Sequence, residues 1–292
     1  MKEIKTCPIC GSTNHDTLMI VKDHSTSQEQ FNISQCGSCG FRFTNPIPTE
    51  DNMGRYYDNP NYISHTNSKR GLFGTVYQAA RQRALKQKLS WIKEFKTAGV
   101  LIDYGSGTGE FLNYCQQRGW NVRGFEISDS ARDMSVANYG LTVDKPGRFK
   151  EVEDNSVDVI SLWHVLEHLE NLQETVKTLV SKLKQGGVLV LALPNAESWD
   201  AKAYGTYWAA WDVPIHLYHF TKNDVKRLAD MNGLSMEKII KMPFDSYYVS
   251  LLSEEYKAGR KNWIKATVNG ALSNLKAGKD NSSSLTYILK KA

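Results

Sequence analysis

The sequence predicts an α/β fold: a Rossmann-like sheet preceded by a small N-terminal zinc ribbon. Three observations lead there. The apolar run Val100-Leu101-Ile102 ends in Asp103 and passes into Gly105-Ser106-Gly107-Thr108-Gly109. From there, short apolar runs alternate with segments of helical periodicity. Ahead of them, Cys7-Pro8-Ile9-Cys10-Gly11 and Cys36-Gly37-Ser38-Cys39-Gly40 repeat one knuckle pattern.

A chain of 292 residues suits one large core and a small satellite. The spacing predicts a ribbon over residues 1–45, a linker and leading helix over 46–98, and a main domain over 99–292. The net charge is +5, from 36 basic and 31 acidic residues. Nucleic-acid binders gather such charge into a patch. Here it falls into local clusters, Lys69-Arg70, Arg81 to Lys88 and Lys257 to Lys265, read as solvated helix faces. No apolar run of membrane-spanning length occurs, and the N-terminus lacks an apolar signal core. The expectation is a cytoplasmic protein with no membrane span.

In the ribbon, two Cys-x-x-Cys turns can aim four thiolates at one ion, a closed structural zinc site of Cys7, Cys10, Cys36 and Cys39. His15 and His24 compete as ligands, but the symmetry of the pairs favours the cysteines. Leu18 to Val21 and Phe31 to Ile33 read as the strands bearing the knuckles, with Phe41-Arg42-Phe43 closing them. Asn45-Pro46-Ile47-Pro48 then breaks regular structure. Tyr56, Tyr57 and Tyr62 follow in a segment without periodicity. From Phe73 to Lys96, Val76, Ala80, Ala84, Leu85, Leu89, Ile92 and Phe95 form a stripe near helical spacing.

The glycine turn after Asp103 lets backbone approach a ligand closely, at the carboxyl end of a parallel strand where open α/β sheets bind cofactors. The following helix carries Phe111, Leu112 and Cys115 on one face, so Cys115 reads as a core thiol. The next strand, Asn121 to Glu126, ends in Glu126, 23 residues after Asp103. A carboxylate there suits a ribose diol. The turn departs from the dinucleotide pattern, because position 110 is Glu rather than Gly. Further on come a strand at Val157 to Trp163, His164-Val165-Leu166-Glu167-His168-Leu169, a helix ending at Gly186-Gly187, and a strand at Val188 to Leu193.

The Asp-x-Gly-x-Gly-x-Gly turn resembles motif I of class I S-adenosylmethionine methyltransferases. The block from Trp163 to Asn195 looks like the subfamily related to ubiquinone-biosynthesis O-methyltransferases. The resemblance covers residues 100 to 241 and implies a seven-stranded sheet whose last strand is antiparallel. It also implies S-adenosylmethionine bound by Asp103, Gly105, Ser106, Gly107, Gly109, Glu126, Ile127 and His164. Pro146-Gly147-Arg148-Phe149 stands where the family often has an acid or small polar residue, so no adenine contact is assigned.

Residues 195–220 form an aromatic insertion with Trp199, Tyr204, Tyr207, Trp208, Trp211, Tyr218 and Phe220. In the resembling family this region covers the acceptor. Val213-Pro214-Ile215-His216-Leu217-Tyr218-His219-Phe220-Thr221 looks like that subfamily's Pro-x-His-x-x-x-Phe-Thr signature. Methyl transfer from a sulfonium needs positioning and, for a hydroxyl or acidic carbon, a base. His168 and His216 are the catalytic candidates, while His219 reads as structural. Leu234 to Lys241 reads as a strand, residues 247–277 as two helices, and Leu285 to Lys290 as the closing strand. The leading function is methyl transfer to a small molecule. The competing ones are an RNA methyltransferase gripping RNA with its ribbon, and a non-catalytic cofactor-binding scaffold.

Overall fold

Strand-forming segments between the two cysteine knuckles and just after the second open the fold. In the computed structural model, which describes residues 1–57, 72–278 and 280–292, these are β1 (His15–Lys22), β2 (Gln30–Cys36) and β3 (Arg42–Thr44). They pair antiparallel in sequence order. After a single helical turn at Glu50–Met53, the long helix α1 (Leu72–Lys93) leads into the main sheet. It spans the expected segment and closes three residues early. Tyr62, Lys69 and Arg70 lie outside the described residues.

The main sheet alternates with helices as the sequence predicts. Its first half comprises β4 (Val100–Tyr104), α2 (Glu110–Gln116), β5 (Asn121–Phe125), α3 (Asp129–Tyr139) and β6 (Val143–Asp144). Then follow β7 (Val157–Trp163), α4 (Leu172–Lys182) and β8 (Leu183–Pro194). The insertion contains α5 (Trp199–Tyr204), two 3-10 turns and β9 (Tyr218–His219). Last come α6 (Lys222–Met231), β10 (Leu234–Lys241), α7 (Asp245–Ala258), α8 (Trp263–Lys276) and β11 (Ser284–Lys291).

Seven strands join in the order β10-β11-β8-β7-β4-β5-β6. The β8-β7-β4-β5-β6 pairs are parallel, and β11 runs antiparallel to both of its neighbours. Helices cover both faces, so the central strands bury continuous apolar runs rather than alternating ones. Val159, Ile160, Leu162 and Val188 to Leu193 are all buried. Cys115 is buried among Leu112, Leu101 and Val159, as a core thiol should be.

Two local expectations change. The helix after His168 does not run to Gly186-Gly187. It ends at Lys182, and Leu183 already pairs with Val157. The pairing then resumes at Val188 opposite Val159, so residues 184–187 bulge out of the strand. The apolar Leu183 gains more by joining the sheet than by extending the helix. The second change concerns the ribbon, whose sheet is not self-contained. β9, from the insertion, pairs with β3 through Arg42 with His219 and Phe43 with Tyr218. Ribbon and insertion therefore share a four-stranded sheet. Ile9, Phe41 and Phe43 pack into the same core as Leu166, Leu217 and Phe220.

Candidate active site

The glycine turn sits between the end of β4 and the start of α2. At Gly105, φ is +77° and a Cβ would lie 2.3 Å from Val165 Cγ2, so the turn packs directly on the segment after β7. At Gly107, φ is +53° and nothing stands within 4 Å of an added Cβ. Its free face is open for a ligand. The Ser106 and Gly105 amides donate to the Phe125 carbonyl, which ties the turn to β5.

Glu126 lies just past β5 and grips the same turn. Its Oε2 accepts from the Gly107 N–H at 2.8 Å and its Oε1 from the Ser128 N–H at 2.9 Å. Each oxygen keeps a further lone pair for a ligand hydroxyl. Ile127 beside it is 82% exposed, an apolar surface at the edge of the turn. Asp103 is buried at the tip of β4 and accepts from Ser161 Oγ at 2.6 Å. Burial pushes its carboxyl up to about 7, against the Ser161 bond and the charge of Lys88.

Lys88, on α1, reaches this region with its Nζ 4.2 Å from the Trp163 ring centroid. Burial pushes its ammonium below the ordinary lysine range, while Asp103 and Asp245 support the charge. Lys88 closes the Arg81 to Lys88 cluster that reads as a solvated helix face, and its inward ammonium overturns that reading at this residue, although a signal existed. It stands three residues after Leu85 and four before Ile92, on the stripe that faces the core.

Beyond β7 the backbone turns sharply, with His164 at φ 57°. His164 Nδ1 stands 3.5 Å from Glu167 Oε1, and its Nε2 donates to Asp245 Oδ2 at 3.1 Å. Burial disfavours the charged ring, yet the two carboxylates hold its pKa up to about 10. Asp245, the first residue of α7, was not singled out from sequence, because nothing local marks it.

Glu167 is 0% exposed, and apart from the 3.5 Å ion pair with His164 its carboxylate oxygens have no hydrogen-bond partner among the described residues. Its ligand-type oxygen and ring nitrogens of His168 and His216 all lie within 4.8 Å of one another. The two rings meet edge to face, with centroids 4.6 Å apart. His168 Nδ1 donates to the Ile215 carbonyl at 3.0 Å and His216 Nδ1 to the Ala210 carbonyl at 2.9 Å. A carbonyl only accepts, so each Nδ1 carries the proton and each Nε2 holds a lone pair. Burial, then the neighbouring His216, pushes His168 down to about 4. Burial also lowers His216. Burial resists ionisation of Glu167, but the bond from His164, then the charges of His168 and His216, keep its carboxyl below the usual value. The set can take a proton from a substrate or ligate a divalent cation.

The other predicted residues are also placed. Tyr57 reaches the cluster, with its ring beside His168. His219 is buried and bonds Thr44 Oγ1 at 3.1 Å, a structural tie across the shared sheet. The insertion is pinned by Asp200, whose carboxylate accepts from Trp208 Nε1, Ser273 Oγ and Ser283 Oγ. Asp212, at φ 39°, adds a carboxyl that burial raises to about 7.

In the ribbon, Cys7, Cys10, Cys36 and Cys39 place their sulfurs within 4.8 Å of one another. Cys7 Sγ is 3.5 Å from Cys39 Sγ, and Cys10 Sγ is 3.6 Å from Cys36 Sγ. A tetrahedral zinc with sulfurs at about 2.3 Å sets its ligands roughly 3.8 Å apart. Four thiols and no competing ligand in the set fit structural zinc. His15 instead packs on Phe43 and His24 stacks on Tyr256.

A family profile described as "Methyltransferase domain" matches residues 77–239, from α1 into β10. Ubiquinone biosynthesis O-methyltransferase of Rickettsia bellii (strain OSU 85-389) is 25% identical over 154 residues, 48% of this chain. The chain covers 62% of that relative's length, less than two thirds. The protein of the same name from Azoarcus sp. (strain BH72) is 25% identical over 166 residues, 49% of this chain and 70% of the relative. Among solved structures, a SAM-dependent methyltransferase from Archaeoglobus fulgidus superposes with a TM-score of 0.51 at 21% identity. It covers 72% of this chain and 94% of its own. That likeness shows the fold, and the profile match spans more than half of the sequence. The chain belongs to the methyltransferase domain family, as a class I S-adenosylmethionine-dependent member.

Proposed function

We propose that this protein transfers the methyl group of S-adenosylmethionine to a hydroxyl or acidic carbon of a small molecule, such as a sugar, a lipid-linked intermediate or a natural product. The observation that carries this reading is the buried Glu167 carboxylate, paired with His164 at 3.5 Å and facing two histidines whose Nδ1 atoms are tied to carbonyls. It stands on the segment that packs against the glycine turn. The turn, Glu126 and Ile127 hold the cofactor. His168 Nε2 takes the proton of the acceptor as the acceptor atom attacks the methyl carbon. The carbon–sulfur bond breaks toward sulfur and leaves S-adenosylhomocysteine. Glu167 stabilises the imidazolium, as a carboxylate beside a general base does. The names of the relatives support a small-molecule acceptor of this kind.

Calorimetric titration with S-adenosylmethionine and S-adenosylhomocysteine tests the cofactor half. Wild type binds both, and Glu126→Ala loses about tenfold or more in affinity, the loss expected from one charge-assisted pair of hydrogen bonds. Equal binding by the variant, or no binding by zinc-replete wild type, would remove the reading. For the base, methyl transfer to a panel of hydroxyl acceptors should fall in His168→Gln while cofactor affinity stays unchanged.

A further inference from the structure

The C-terminal helical hairpin, α7 and α8, is built inside out. On α8 the buried face is made of small residues, Ala266, Gly270 and Ser273, with Gly270 packed against Tyr247. The large apolar residues point the other way. Ile264, Val268 and Leu275 are 79%, 52% and 78% exposed, and Trp263 is 67% exposed. With the exposed Ala271 they follow spacings of four, three and four residues, one continuous helical stripe. At the far end of the stripe, Asn274 Nδ2 donates to the Pro243 carbonyl. Leu275 and the exposed Phe244 therefore share one end of the hairpin, next to Asp245 and the His164 pair. Nothing among the described residues covers this face.

Its charge says what it fits. Between Glu255 and Asp280 the chain carries six basic residues and no acid. Lys257, Arg260, Lys261, Lys265 and Lys276 are all exposed around the stripe. A helix with an exposed apolar face, an interfacial tryptophan and a basic flank lies in the plane of a negatively charged membrane surface. A protein–RNA surface would not need the large apolar stripe.

We propose that the outer face of α8, with the basic loop before it, docks the protein on an anionic lipid bilayer and turns the His164–Asp245 side of the active site toward it. No part of the chain crosses the bilayer, and no helix among the described residues is long and apolar enough to do so.

Flotation of the full chain with phosphatidylcholine vesicles, with and without phosphatidylglycerol, tests this without any methyl acceptor. Wild type should float with the anionic vesicles alone and release with added salt. Joint replacement Ile264→Ser, Val268→Ser and Leu275→Ser should weaken binding about tenfold or more. Arg260→Glu with Lys265→Glu should do the same through charge. These side chains are exposed, so an unchanged thermal midpoint in both variants reports intact folding. Three outcomes overturn the proposal. The first is a wild type that does not float, and the second is a pair of variants that float like wild type. The third is a self-associating or RNA-bound wild type with no vesicle binding, which would assign the face to a second copy or to RNA.

Discussion

Two glycines in one turn carry different burdens. At Gly105 an added methyl group meets Val165 at 2.3 Å, whereas at Gly107 it meets empty space. Gly105→Ala should therefore unfold or severely destabilise the protein. Gly107→Ala carries only the left-handed backbone penalty, about 1–2 kcal/mol. It should stay folded but lose most of its S-adenosylmethionine affinity, because the methyl occupies the free face. Thermal melts and calorimetry separate the two cases; a Gly107→Ala protein that binds normally would move the cofactor off this turn. His164 makes a residue-scale claim about pH. Its folded pKa of about 10 lies above its ordinary value of 6.5. The native state thus holds a proton that the unfolded chain has lost, and stability falls with rising pH. The contribution is complete below pH 6.5 and disappears as pH rises through about 10. Denaturation across that range should show a decline that His164→Gln flattens; an equal decline in both proteins would refute the ion-pair reading.

At the scale of elements, the aromatic insertion is held by a polar centre rather than by its rings alone. Trp208 and Trp211 stack edge to face. Trp211 donates to the Gly205 carbonyl, and Trp208 to Asp200, a fully buried carboxylate with three donors from α8, the insertion and the approach to β11. Asp200→Ala would leave those three donors buried without a partner. The expected loss is roughly 3–5 kcal/mol in urea denaturation. A loss below about 1 kcal/mol would mean that water replaces the carboxylate. The same network joins the insertion to the C-terminal hairpin, so Asp200 ties the aromatic insertion to α8.

Across the whole molecule, the ribbon is part of the main fold. β3 pairs with β9, Arg227 Nη1 donates to the Cys39 carbonyl, and Gln173 Nε2 donates to the Ile9 carbonyl. Zinc at the four cysteines therefore stabilises the common core, since metal binding to the native state shifts the whole equilibrium. Treatment with a strong chelator should lower the midpoint of one shared thermal transition, and the methyltransferase sheet should melt with the ribbon. A separate early transition confined to the ribbon would show that the shared sheet carries little energy.

Periodicity, glycine placement and thiol spacing were enough for the α/β class, for the strands β4, β5, β7, β10 and β11, for the glycine turn and for the two knuckles. Each of these is decided within a few neighbouring residues: an alternation, a turn needing positive φ, or a thiol spacing. The boundary missed at Gly186-Gly187 was not local, because the strand wins there only when Leu183 finds Val157 across the sheet. The tertiary structure alone decided which side chains meet. Glu167 and His168 are adjacent in sequence, but His216 joins them from 48 residues away, and Asp245 reaches His164 from a separate helix. Lys88 turns inward, and α8 shows its large residues to the outside. Helical spacing marks a stripe without saying which stripe is covered. That choice rests on how closely backbones approach, and at Gly270 the absence of a side chain lets α7 take the small face.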